Sequence, residues 1–259
     1  MKKIFFILLS SVVFIACTKT ITPALNTAAA QLIIQGAVSD TAGPYYLSIV
    51  NSVGFYANNT YPGVSGATVT ITDSTTGLRD VLTETTTGYY VTHSLVQGMH
   101  GHTYLLNVSL NGKTYTASST MPQPVALDSV TFDYQTKNTI RAQANYQDPK
   151  GIVNFYKYSL VINGVVDKRF QVFEDRLSDG RYIQDKIDAD TSEIKRNDLV
   201  QLSLVGIDKN VFTYLNEAEQ IAYSNDQLAA PATPVTNITG GCLGYFSAQT
   251  VSSKTGVAK

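Results

Sequence analysis

Tryptophan is absent from these 259 residues, cysteine occurs twice and histidine three times. Each scarcity removes a class of function. One cysteine, Cys17, closes an apolar leader, so Cys242 has no intrachain partner and no disulfide framework supports the fold. Without tryptophan the chain lacks the ring on which sugars stack best. Zinc needs three or four converging ligands, and no Cys or Glu motif stands beside His93, His100 or His102, so no metal site is assigned. Charged residues make up 15%, with 19 Lys and Arg scattered among 20 Asp and Glu and a net charge of −1. That composition offers no basic stripe for phosphates and excludes nucleic acid as a partner. No G-x-S-x-G elbow, H-E-x-x-H helix, P-loop or dinucleotide fingerprint occurs, so no catalytic residue and no cofactor are assigned, and the chain reads as a protein that is not an enzyme.

What is present begins with an address. Met1-Lys2-Lys3 puts two positive charges before apolar runs at 4–9 and 12–15, which end at Ala16-Cys17. The run is too short to span a bilayer as a mature helix and reads as a secretory signal peptide over residues 1–16. Phe14-Ile15-Ala16-Cys17 resembles a bacterial lipobox, with Phe14 in place of the commoner leucine. The resemblance implies cleavage before Cys17 and a diacylglycerol on its thiol. At about 0.8 kcal/mol per buried CH₂, two or three acyl chains hold a protein on a membrane that it does not span. Residues 17–31, rich in Thr and Ala without an amphipathic period, read as a tether.

From Leu32 the pattern becomes short β-forming runs separated by turn residues, and the expected fold is mostly β, two antiparallel sandwich domains with one short helix near the C-terminus. In the first domain, 32–121, residues 32–38 and 45–50 form an antiparallel pair. Ala67, Val69 and Ile71 face a core while the intervening threonines face water. Asn111-Gly112 joins 104–110 to 113–117 through a type I′ turn. Between the first strands, residues 54–64 form an aromatic loop in which Phe55, Tyr56 and Tyr61 are the candidate contacts for a protein partner.

Met121-Pro122-Gln123-Pro124 interrupts pairing and marks a boundary, with the second domain at 125–259. There, a second Asn-Gly turn at 163–164 joins 154–162 to 165–173, with Tyr156, Tyr158, Leu160 and Ile162 on one face. Asp175, Asp179, Asp185, Asp188, Asp190 and Glu193 read as solvated acidic connections, because calcium's EF-hand spacing is missing and Arg176, Arg181 and Lys186 sit among them. Val211, Tyr214, Leu215, Ala218, Ile221 and Ala222 recur at helical spacing over 209–223, a helix placed across a sheet edge or as a cap. Glycines at 240, 241 and 244 permit close backbone approach, and Cys242 reads as a small buried apolar residue.

Two resemblances follow from these segments. Val64 to Ile71, with Thr87-Gly88-Tyr89-Tyr90, resembles the carboxypeptidase-regulatory or transthyretin-like β-sandwich, a structural or adhesive module. A wider pattern is similar to the domain-of-unknown-function 4249 family of Bacteroidetes lipoproteins. It comprises the lipobox, Gln35-Gly36-Ala37-Val38-Ser39-Asp40 with Gly43-Pro44-Tyr45, then Pro62 to Val69, Gly112-Lys113-Thr114-Tyr115 and Asn237-Ile238-Thr239-Gly240-Gly241 with Gly244-Tyr245-Phe246. That resemblance implies an outer-membrane lipoprotein acting as an accessory or binding partner of a TonB-dependent transporter, with the leaflet it faces left open. The alternatives are a lipoprotein that binds a glycan or peptide nutrient, and a hydrolase whose site would need a pocket gathering a histidine with two carboxylates.

Overall fold

A computed structural model describes residues 29–54, 60–93, 97–136, 139–189, 194–223 and 233–259. The signal peptide, Cys17 and most of the tether lie outside these residues. Alternating apolar side chains set the strands of the first half: β1 (Leu32–Ser39), β2 (Tyr46–Asn51), β3 (Thr68–Asp73), β4 (Arg79–Val81), β5 (Thr83–Thr86), β6 (Tyr89–Val91), β7 (Thr103–Leu110) and β8 (Lys113–Thr120). β1 and β2 pair antiparallel, as the sequence predicts. Asn111 and Gly112 adopt φ of 49° and 74° and turn β7 into β8, the positive pair a type I′ turn needs. Val69 and Ile71 point into the core, but Thr70, expected to face water, is also buried, flanked by Val81 of β4 and Asn107 of β7.

The second half supplies β9 (Ser129–Thr136), β10 (Thr139–Gln147), β11 (Phe155–Ile162), β12 (Val165–Val166), β13 (Gln171–Glu174), β14 (Tyr182–Ile187), β15 (Leu199–Ile207), helix α1 (Lys209–Tyr223) and β16 (Leu243–Val257). Tyr156, Tyr158, Leu160 and Ile162 are buried on one face of β11, as their spacing requires. The return arm is broken into β12 and β13, because Asp167 turns the chain between them and accepts the Arg169 amide. Residues 182–187, of which the sequence pattern places Asp185 to Ile187 in a polar acidic connection, instead form β14 against β10. Ile183 and Ile187 face inward, but the inward position between them is Asp185, which interrupts the apolar alternation.

Three sheets result, and one of them runs through both halves. Its order is β12-β11-β15-β16-β1-β2-β6-β5, with β13 also on β11. The sheet β4-β3-β7-β8 covers one end and β14-β10-β9 the other. Between the first pair lie Ile34, Leu47, Ile49, Val69, Leu106, Val108 and Phe246; between the second lie Ala144, Tyr146, Tyr156, Tyr158, Leu160 and Leu202. The chain is mostly β, two packed sandwiches with one helix among the described residues.

The boundary at 121–124 carries no strand, yet the chain on either side of it is fixed. Met121 is buried in the first core, and Val125 and Leu127 are buried in the second. Sequence order assigns β16 to the second domain, but its first half, 243–249, lies parallel to β1 and places Phe246 and Ala248 in the first core. Its second half, 250–257, pairs antiparallel with β15. Gly244 makes the parallel approach feasible: a Cβ there would sit 1.9 Å from Ile34 O, and its φ is +97°.

The helix packs over the β13 side of the shared sheet, where Glu219 accepts the Val172 amide at 3.0 Å. It lies on the face of the shared sheet that points away from the second core, where Val205, Ile207, Phe155, Tyr245 and Val251 form an apolar bed for Val211 and Leu215. Asp208 caps it, accepting from the Asn210 and Val211 amides at 2.8 and 3.0 Å. The same carboxylate accepts from Ser119 Oγ, which in turn accepts from the Ala248 amide, so the helix start, β8 and β16 are joined.

Phe246 is fully buried. Phe246→Ala is expected to destabilise the protein by about 3 to 5 kcal/mol in chemical denaturation. Hydrogen exchange in β10 and β11 of the other sandwich should rise along with that of β1, because β16 belongs to both.

Candidate functional site

Tyr61, the one member of the aromatic loop among the described residues, is 48% exposed; Phe55 and Tyr56 lie outside them. Two aromatics not singled out in the sequence are also exposed on the same domain. Tyr46 and Tyr89 stand on neighbouring strands, diagonal across the register in which Tyr46 meets Val91 and Ser48 meets Tyr89. Cys242 is buried in the first core as expected, and burial pushes its thiol up to about 11, which makes it inert as a nucleophile near neutrality.

The three histidines do not converge. Each takes its own aspartate: His93 Nδ1 meets Asp80, His100 Nε2 lies 3.2 Å from Asp40 Oδ2, and His102 Nδ1 lies 2.7 Å from Asp73 Oδ2. A cleft of about 350 Å³ does gather His93 with Asp80 and Asp73, beside Arg79 and Tyr104. Its carboxylates are already engaged. Asp80 Oδ2 accepts the His93 amide while Oδ1 meets the ring. Asp73 Oδ1 accepts the Thr75 and Thr76 amides at 2.9 and 3.3 Å, and Oδ2 meets His102. No serine or cysteine lines the cleft among the described residues. The arrangement fixes turns.

Burial raises the Asp73 carboxyl, but the His102 ring and the two threonine amides outweigh it and hold the group below its ordinary 3.8. Its ionised form therefore contributes stability at every pH above that value, and the contribution disappears as the pH falls through the lower folded-state value.

The expected acidic connections divide. Asp185 accepts from Tyr158 Oη at 2.7 Å, and Asp188 pairs with Arg141 Nε at 2.8 Å. Asp190 and Glu193 lie outside the described residues. Asp175 and Asp179 instead come together with Asp148, which the sequence reading left unmarked; one oxygen from each lies within 4.8 Å of the others. Asp148 and Asp175 are each only 1% exposed, so these two carboxylates are not solvated, while Asp179 remains exposed.

Two loops build the cluster at one end of the second sandwich. The first, 148–154, crosses from β10 in the small sheet to β11 in the large one; the second, 175–181, crosses back from β13 to β14 through a short 3₁₀ turn (Asp175–Leu177). They exchange hydrogen bonds. The Gly180 amide donates to Asp148 Oδ2 at 3.0 Å, the Gly151 amide to Asp179 Oδ1 at 2.6 Å and the Asn154 amide to Asp175 Oδ2 at 2.9 Å. Tyr156 Oη, beneath them in the core, donates to Asp148 Oδ1 at 2.8 Å.

Two atoms are left over. Asp175 Oδ1 and Asn154 Oδ1 are buried and have no donor among the described residues. No Lys or Arg among the described residues forms an ion pair with any of the three carboxylates. Two full charges at 4.8 Å repel by roughly 3 to 4 kcal/mol at an effective dielectric of about 20. Burial, then the charges of Asp148, Asp179 and Glu174, raise the Asp175 carboxyl above its ordinary value, against the pull of the Asn154 amide. A signal existed in the sequence: Asp148-Pro149 and Gly151 form a turn directly after a strand, and Asn154 opens the next one.

Asp73→Asn tests the histidine end of the molecule. The substitution is expected to cost about 1 to 3 kcal/mol at neutral pH in urea denaturation, and the deficit should shrink in acid as the native carboxylate protonates.

A search of curated proteins finds no significant match. Among solved structures the chain is similar to the two fibronectin type-III domain segment from chicken tenascin, at 13% identity over 69% of this chain and 91% of that one, with a TM-score of 0.22. The description of the fold rests on the strand pairing given above. The family model described as domain of unknown function, DUF4249, matches residues 18–255, from the residue after Cys17 to the last turns of β16, and the chain belongs to that family.

Proposed function

We propose that the protein is a lipid-anchored outer-membrane lipoprotein that acts without catalysis, as a binding or accessory partner of a TonB-dependent transporter. The leader carries this reading: a dibasic start, an uncharged apolar run and Ala16-Cys17 are the features that signal peptidase II requires. The resemblance set out above supports it, since what that resemblance implies is an accessory role at a TonB-dependent transporter. The expected tether is also long enough: about 15 residues separate Cys17 from β1, and a flexible chain of that length would reach roughly 20 Å, enough to let the sandwiches stand off a lipid surface.

The surface offers the partner aromatic anchors. Tyr46, Tyr61 and Tyr89 are exposed on the first sandwich, and tyrosine supplies contact area with a hydroxyl at its tip at a low entropic cost. The histidine cleft does not favour a hydrolase, because its carboxylates are occupied by the turns they hold.

Cys17→Ala is expected to release the protein from envelope vesicles into the soluble fraction, and the mature wild type should carry an acyl-sized mass that the variant lacks. Membrane association unchanged in the variant would remove the anchor. Mild-detergent capture of the wild type should recover a β-barrel receptor near one-to-one, and combined Tyr46→Ala, Tyr61→Ala and Tyr89→Ala should reduce that recovery at least about tenfold. Capture of no barrel by the wild type, with binding on a glycan or peptide array, would replace the accessory reading with nutrient binding.

A further inference from the structure

We infer that Asp148, Asp175, Asp179 and Asn154 form a binding site for a hard divalent cation, with calcium the best fit. Three carboxylates gathered from two loops would not alone make a site. The two stranded oxygens point to a ligand. Four buried side-chain polar atoms lack a partner among the described residues, and two of them, Asp175 Oδ1 and Asn154 Oδ1, are acceptors in this one place. Their residues are 1% and 6% exposed, and the Asn154 main-chain amide donates to the other oxygen of Asp175, which puts Asn154 beside the cluster. The main-chain amides of Gly180, Gly151 and Asn154 are already committed to Asp148 Oδ2, Asp179 Oδ1 and Asp175 Oδ2, so none of these three supplies the missing donor. A cation satisfies acceptors and neutralises their mutual repulsion at once.

The donor set selects the kind of ion. All the ligands are oxygens and none is His or Cys, which favours calcium or magnesium over zinc. Calcium takes six to eight oxygens in flexible geometry, whereas magnesium demands a near-ideal octahedron, so side chains drawn from two separate loops suit calcium better. Each of the three carboxylates brings one oxygen within 4.8 Å of the others, inside the span of a calcium shell. Four side chains supply at least four of the six to eight oxygens calcium takes, and water completes the shell. The ion would pin the two crossovers that connect the sheets of the second sandwich. This inference does not depend on lipidation or on a transporter partner.

The test uses the full chain, stripped with EDTA and titrated with calcium chloride near neutral pH. The expected result is a saturable heat at one ion per chain with Kd below about 1 mM, tightest for calcium and weaker for magnesium, and a rise in Tm with calcium concentration. Terbium should replace calcium and emit through energy transfer from Tyr156, and added calcium should quench the emission. Asp175→Asn removes a buried charge that has no counter-ion, so this variant should unfold no earlier than wild type in EDTA and yet lose the calcium response. Asp179→Asn, at the exposed ligand, should fold normally and weaken binding at least about tenfold. If folded wild type shows neither heat nor Tm shift up to about 10 mM calcium, above the range of extracellular calcium modules, the site is refuted and a proton is what satisfies Asp175. Equal calcium responses in wild type and both variants would place the ion elsewhere and also overturn the inference.

Discussion

The fold depends on the pairing of a single 15-residue strand, β16. Over residues 243–249 it fills a place beside β1, and over 250–257 it fills another beside β15, so one run of backbone completes two sheets' worth of hydrogen bonds. The two halves of the chain are thereby parts of one sheet. Ser119, Asp208 and the Ala248 amide add a polar link at the change of partner, as do Asp40, which accepts the Val251 amide, and Ser252, which accepts the Leu127 amide. Since β1 and β16 lie at opposite ends of the sequence, the central parallel pair has a very high sequence separation, and its closure entropy is met only when the rest of the chain has collapsed.

The two interiors solve the problem of burial differently. The first core turns its tyrosines to the main chain: Tyr45 Oη donates to Ser39 O, and Tyr90 Oη and Tyr104 Oη accept the Ala67 and Met99 amides. The second joins its tyrosines to one another and to carboxylates. Tyr146 and Tyr158 share a hydrogen bond of 3.0 Å, Tyr158 continues to Asp185, and Tyr156, packed edge-on to Tyr146, reaches Asp148. Burial raises all three phenols far above their ordinary range, so they remain donors. Carboxylates at the rim are what allow these hydroxyls to be buried. The same economy stops at the loops, where Asp175 and Asn154 keep acceptors that nothing among the described residues satisfies.

Much of this architecture is legible from local chemistry. The two Asn-Gly turns, the alternation along β11 and the helix at 209–223 follow from residues close together in sequence, and the structure has them where the pattern places them. Non-local features are harder to read. β14 is obscured because Asp185 occupies an inward position that only Tyr158, 27 residues away, makes tolerable. The second half of β16, Val251-Ser252-Ser253-Lys254-Thr255-Gly256-Val257, has little apolar content and is a strand because β15 pairs with it. Asp148 escapes notice for a similar reason: beside Pro149 and Lys150 it reads as a solvated turn, and only the fold brings Asp175 to it.

The position of β1 sets how the body responds to traction. Its residues are hydrogen-bonded to β2 on one side and to β16 on the other. A load applied through the residues before Leu32 and directed along the strand is resisted by both rows of bonds together, in shear. An edge strand pulled the same way would peel open one bond at a time. The chain thus enters its widest sheet at the middle, where a pull is spread over two neighbours instead of starting a tear.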